Sequence, residues 1–237
     1  MIQAGLTKLI TATGSIRVKQ LPATRCLLPT ACCLLFFLST AYTSDVETVL
    51  GKMQQRYASA DTITGSFVLT NTAPQGIEQV ERGVFWLKKP ALMKWEYSDP
   101  EGMLFIADGK EGLLYDPRDR QVTVQSLTTE ELLNTPLKLL LGAGDVEESF
   151  HIVPEDETET GTDGAQRVQL VPISETDYSY LDLEIDNTSF DLVRLTIKEQ
   201  DGNTREYHFT DLKTDVKIED KHFFRFEIPE GVEIYRE

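Results

Sequence analysis

Three histidines, His151, His208 and His222, are the side chains of this chain best suited to proton transfer near neutral pH. They fall on three separate segments. None stands in an H-x-x-x-H or other metal-ligand spacing, and none has a serine or cysteine motif beside it. Each reads as an ordinary strand or turn residue. No G-x-S-x-G elbow and no phosphate-cradling glycine loop precedes or follows them. The cysteines, Cys26, Cys32 and Cys33, all stand before residue 42. Beyond that point thiolate nucleophiles, disulfides and Cys-type zinc sites are excluded. The 39 carboxylates allow an acid pair for glycoside chemistry, but no spacing singles one out. The acidic run 155–164, EDETETGTDG, resembles a calcium loop in composition only. Positions 156, 158 and 160 are Asp, Thr and Thr, and no bidentate Glu follows at the required distance. It reads as a solvated hairpin loop. The expectation is a binder, with no catalytic residue, metal ligand or cofactor assigned. An open-barrel hydrolase is the enzyme alternative, and it needs a clustered His and carboxylate set.

The side chains that recur in a pattern are apolar. Alternation puts Met93, Trp95 and Tyr97 on one face of their segment and Lys94 and Glu96 on the other. Phe67 with Leu69, Phe85 with Leu87, and Met103 with Phe105 repeat the arrangement. The segment that carries Phe85 ends at Lys89. The chemistry open to such a stripe is solvation of hydrocarbon. It is either an ordinary core or the wall of a cavity.

Strands must position this stripe. From residue 63 the hydrophobic period is two, and segments 63–71, 80–89, 92–97, 103–107, 112–116 and 121–126 read as successive strands. Turn chemistry separates them, as in Pro74-Gln75-Gly76, Lys89-Pro90, Asp99-Pro100, Asp108-Gly109 and Asp116-Pro117. The spacers leave no room for crossover helices, so neighbouring strands must be antiparallel. Strands resume at 150–153, 167–172, 180–186, 192–200, 204–210 and 224–228. A helix precedes them: Ser44 and Glu47 form a capping box, and Val46, Val49, Leu50, Met53 and Tyr57 make one apolar stripe. Residues 128–144 interrupt the strands. Thr128 and Glu131 offer a second capping box, and Leu132, Leu133, Leu137, Leu139, Leu140 and Leu141 crowd around Pro136. One or two short, very apolar helices are expected there. Eleven or twelve antiparallel strands with so few helices make one curved sheet or open barrel, with a partly hollow interior.

Charge restricts the partners. Lys and Arg total 23 against 39 Asp and Glu, a net −16. Nucleic-acid coating is excluded, because phosphate binding is led by clustered Lys and Arg. Docking on an anionic membrane by charge is disfavoured too. Residues 1–41 hold Lys8, Arg17, Lys19 and Arg25 and no acid. An apolar run from 26 to 38 follows, then Ser39-Thr40-Ala41. Basic, apolar, small is the order of a secretory signal peptide cleaved after Ala41. The run is shorter than the ~20 residues of a spanning helix. Cys32 and Cys33 precede LLFFL, so lipid attachment at a lipobox is rejected. Residues 42–237 then form one exported domain carrying −20, since four of the bases leave with the leader.

The motifs match a family in order and spacing. The most specific stretch is GVFWLKKPALMKWEY, residues 83–97. ADGKEGLLYDPRDRQVTV, residues 107–124, follows, then Asn134-Thr135-Pro136-Leu137, then FRFEIPEGVE at 224–233. In these the chain resembles the LolA family of periplasmic outer-membrane lipoprotein carriers. The resemblance implies an open antiparallel β-barrel of about eleven strands, mainly β with helices, under a helical lid. It implies that a hydrophobic cavity holds the acyl chains of lipoproteins released from the inner membrane by an ATP-driven complex. Delivery to the outer membrane is expected through the receptor LolB or an equivalent. Phe67, Leu69, Phe85, Leu87, Met93, Trp95, Tyr97, Met103 and Phe105 are then the cavity wall. Leu133, Leu137, Leu140 and Leu141 are the lid. The family commonly has Arg-Pro where this chain has Lys89-Pro90, so Lys89 is the expected lid latch. Lys lacks the planar fork of Arg, which implies a looser latch. The protein is expected to act as a monomer in the periplasm, without nucleic acid. A periplasmic carrier or sensor of other lipids or hydrophobic conjugates is the alternative of the same fold.

Overall fold

A computed structural model describes residues 43–128, 136–153, 164–219 and 222–236. They begin with α1 (Thr43–Ser59), one residue ahead of the expected cap. Six strands follow: β1 (Thr62–Thr72), β2 (Glu78–Lys88), β3 (Leu92–Asp99), β4 (Leu104–Asp108), β5 (Glu111–Asp116) and β6 (Gln121–Ser126). Two helices of four residues come next, α2 (Lys138–Leu141) and α3 (Val146–Ser149). The chain closes with β7 (Phe150–Val153), β8 (Gln166–Pro172), β9 (Tyr178–Ile185), β10 (Leu192–Glu199), β11 (Thr204–Thr214) and β12 (Glu233–Arg236).

All twelve strands join one sheet in the order β12-β6-β5-β4-β3-β2-β1-β11-β10-β9-β8-β7. The order has two ends, so the sheet is open. Short turns make its pairs antiparallel, as in β1 on β2 from Thr62↔Lys88 to Thr72↔Glu78. The exception is β12, which lies parallel to β6.

The inner face holds the main core. α1 packs there against β8, β9 and α2. Its stripe buries Leu50, Met53 and Tyr57 fully and Val46 and Val49 in part, about 1.5–3 kcal/mol for each fully buried large side chain. Polar contacts to the β9–β10 corner fix the helix. The Leu192 amide donates to the Tyr57 hydroxyl at 2.8 Å. Arg56 pairs with Asp191 at 2.7 Å, and Lys52 Nζ lies 4.6 Å from the centre of the Phe190 ring.

One expected strand is corrected. Residues 224–228 do not join the sheet, and the last strand is β12 instead. Phe226 and the adjoining Phe223 dock on the outer face. Phe223 meets Trp86 edge-on at 5.1 Å, and Phe226 lies 5.0 Å from Tyr115. Lys94 Nζ sits 4.4 Å over Phe223. Burying aromatic rings across several strands outweighs extending one ladder, so the segment becomes a strap. Residues 1–41, with the expected leader, lie outside the described residues, as do Glu131 and Leu133.

Candidate functional site

Strand register assembles the predicted wall. Phe85 of β2 stands opposite Trp95 of β3, and Leu87 opposite Met93. Trp95 stands opposite Phe105 of β4, and Phe105 opposite Leu114 of β5. A row Phe85–Trp95–Phe105–Leu114 thus crosses four strands of the inner face. Its exposure rises along the row, from 0 % at Phe85 and 4 % at Trp95 to 40 % at Leu114. One end is core, and the other opens to solvent.

The rings interlock. Phe85 stacks on Trp95 at 4.9 Å, and Phe67 meets Trp95 edge-on at 4.8 Å and Tyr97 at 5.2 Å. Each such pair adds about 0.5–1.5 kcal/mol beyond area burial. Gly83 makes the approach possible. A Cβ there would lie 2.1 Å from the Glu96 carbonyl oxygen and 2.8 Å from the Phe67 ring.

Six predicted wall residues, Phe67, Leu69, Phe85, Leu87, Met93 and Trp95, are buried in one cluster. Tyr97 and Phe105 are partly buried and pack against it. Met103 is buried but stands outside the cluster. Of the lid residues, Leu140 and Leu141 belong to the cluster and Leu137 packs on it. Leu133 lies outside the described residues. Phe85, Met93 and Leu140 are fully buried, so this part of the inner face is packed.

Lys89 reaches a helix end. Its ammonium donates to the carbonyls of Tyr57 at 2.7 Å and Ala58 at 2.6 Å, at the C-terminal end of α1. That end carries the negative pole of the helix dipole. Burial lowers the Lys89 pKa, and Asp61 and Asp215 push it back up. From α2, Gly142 presses on the same two residues. It caps α2 at φ +58°, and a Cβ there would lie 2.2 Å from the Ala58 nitrogen. Tyr57 and Ala58 are therefore held between the β2–β3 turn and the cap of α2.

The sequence profile "Outer membrane lipoprotein carrier protein LolA" matches residues 58–226. The chain belongs to the LolA family. The outer-membrane lipoprotein carrier protein of Hahella chejuensis is 30% identical over 181 residues, 76% of this chain and 84% of that one. The protein of that description from Chromohalobacter salexigens is 32% identical over 164 residues, 69% of this chain and 74% of that one. The one from Methylococcus capsulatus is 27% identical and covers 84% of this chain and 94% of its own. Among solved structures, an uncharacterized conserved protein from Thermus thermophilus shares the fold. It superposes with a TM-score of 0.51 at 11% identity, over 81% of this chain and 99% of its own.

LolA-family proteins are periplasmic carriers of outer-membrane lipoproteins, so this protein is a transport protein and not an enzyme. The LolA motif at 83–97 is the β2–β3 hairpin. It supplies Gly83, the Phe85 and Trp95 rings and Lys89 in one stretch. In this LolA chain the histidines stay apart: His151 on β7, His208 on β11 and His222 in the strap. Among the described residues no three His, Cys, Asp or Glu side chains converge on a metal position.

Three residues of the inner face escaped the sequence reading. Tyr207 and Phe209 of β11 join the aromatic cluster, Tyr207 at 6.0 Å from Trp95 and Phe209 at 5.6 Å from Phe85. Their two-residue spacing was the available signal. Glu81 shares the parity of Phe85 and Gly83 and stands opposite Leu69, so it too belongs to the inner face. Burial raises its pKa, opposed by Arg118 and reinforced by Asp99.

Proposed function

We propose that the inner aromatic face shields the acyl chains of a lipoprotein in transit, and that α1 and the leucine-rich lid move off it during loading. The wall is Phe67, Leu69, Phe85, Leu87, Met93, Trp95, Tyr97 and Phe105, with Met103 at its margin. Leu133, Leu137, Leu140 and Leu141 are the lid, and Lys89 latches it through the end of α1. The observation that carries this reading is the row from Phe85 to Leu114, apolar throughout and graded from buried to open.

The physics of the task fits. Each buried CH₂ adds ~0.8 kcal/mol, so several acyl chains hold a lipoprotein in its membrane almost irreversibly. Crossing water needs an apolar container with adaptable walls, which Met93 and the lid leucines provide. An ATP-driven release complex in the inner membrane supplies the cargo. LolB or an equivalent at the outer membrane receives it. Residues 1–41 direct export and are removed, and the protein works as a monomer.

Mass spectrometry of material bound to the protein purified from periplasm tests this. Triacylated peptide is the expected finding. Free lipid alone would make the protein a carrier of other lipids, and an empty protein that fails to take up triacylated peptide would overturn both readings.

A further inference from the structure

Among the described residues one buried side-chain nitrogen or oxygen lacks a hydrogen-bond partner, and it is Trp95 Nε1. Other buried polar groups are matched. Tyr57 accepts from Leu192, Thr62 donates to the Val216 carbonyl, and Asp182 accepts from Gln169. Burying an unpaired donor costs about 1–3 kcal/mol, and a phenylalanine would fill much of the same space without that cost. The rings packed on Trp95 are Phe67, Phe85 and Tyr207. The phenylalanines offer no strong acceptor, and the Tyr207 hydroxyl does not accept from Nε1 either. The unpaired donor stands on the row that runs from core to solvent, two strands in from Leu114 and so about 10 Å from the open end.

Resting on the carrier reading, we propose that Trp95 Nε1 is a specificity-determining donor that hydrogen-bonds an acyl carbonyl of the cargo. The protein then selects ester- or amide-linked acyl chains over bare hydrocarbon. A chain entering past Leu114 and Phe105 leaves a carbonyl at Trp95 while its tail displaces the side chains beyond. The donor unpaired in the closed form is paired in the loaded one. Lipoproteins and phospholipids both carry acyl carbonyls, and the lipoprotein is the assigned source.

Two synthetic probes decide the point: a tripalmitoylated cysteinyl peptide, and its counterpart with ether and alkyl links in place of the carbonyls. Wild type should bind the carbonyl probe about three- to tenfold more tightly, the value of one hydrogen bond. W95F should bind the two alike while melting no lower than wild type. A readout without that substitution is the indole N–H resonance of Trp95, assigned by its persistence in W86F. It should move downfield with the carbonyl probe and not with the ether probe. Wild type binding both probes equally, with no indole shift, overturns the inference and leaves the carrier reading standing. Failure to bind either probe overturns the carrier reading itself. A dihexanoyl phospholipid bound as tightly as the peptide, with the same indole shift, overturns the lipoprotein as the source.

Discussion

Lys89 makes two hydrogen bonds, to the Tyr57 and Ala58 carbonyls. A point charge satisfies two carbonyls at a helix C-terminus without any need for a planar fork. Lys89→Ala should cost about 1–2 kcal/mol in a urea melt, because two charge-assisted bonds disappear. It should also speed release of bound triacylated peptide, and unchanged release would take Lys89 out of lid control. Glu81 gives a second prediction. Burial raises its folded-state pKa, so the folded protein holds a proton that the unfolded chain has lost. Stability therefore falls as pH rises from about 4.3, the ordinary glutamate value, through the raised pKa, and the penalty persists above it. Glu81→Gln should stabilise the protein at pH 7 and make no difference below about pH 4. Melting curves across that range check it, and an advantage that persists at low pH would contradict it. Which residues share the inner face was legible, because alternation alone sorts Trp95 from Lys94. The partner of Lys89 was not, since Tyr57 lies 32 positions away and offers a backbone oxygen that no side-chain pattern marks.

At the scale of elements, two short pieces meet: the end of α1 and the cap of α2. Gly142 is required there twice, by its left-handed φ and by the backbone of Tyr57 and Ala58 against it. Gly142→Ala should therefore destabilise the fold by roughly 2–4 kcal/mol and part the lid from α1. Urea melts give the first effect, and stronger binding of an apolar dye gives the second. Wild-type stability with wild-type dye binding would show that the lid does not bear on α1. Most strands were legible to within two residues, because period-two runs between Gly, Pro and Asp turns admit few other readings. Residues 224–228 have the same period and are not a strand. Alternating phenylalanines can face a neighbouring strand or lie flat on a sheet, and only the tertiary fold decides between them. The parallel placement of β12 had no local signal either, since pairing of distant strands depends on the whole sheet.

At the scale of the whole molecule, an apolar core among the described residues goes with an acidic chain: residues 42–237 carry −20. Such a chain is repelled by anionic membranes, which suits a shuttle that must leave them. Docking to the proposed release complex and receptor should weaken steeply between low and physiological salt, as measured by surface plasmon resonance, and salt-independent binding would rule out a basic docking patch. The open sheet was legible from strand number and turn length. The full burial of Phe85, Met93 and Leu140 was not, because sequence counts side chains but does not say how far a sheet curls around them. The central claim is that acyl chains enter the inner aromatic face, and the two tryptophans lie on opposite faces of the sheet to report it. Fluorescence quenching by a triacylated peptide with brominated acyl chains measures it directly. In W86F, where Trp95 is the sole tryptophan, emission should be quenched on loading, while in W95F the emission of Trp86 should not change. Quenching of Trp86 with Trp95 untouched would place the cargo on the outer face and contradict the account.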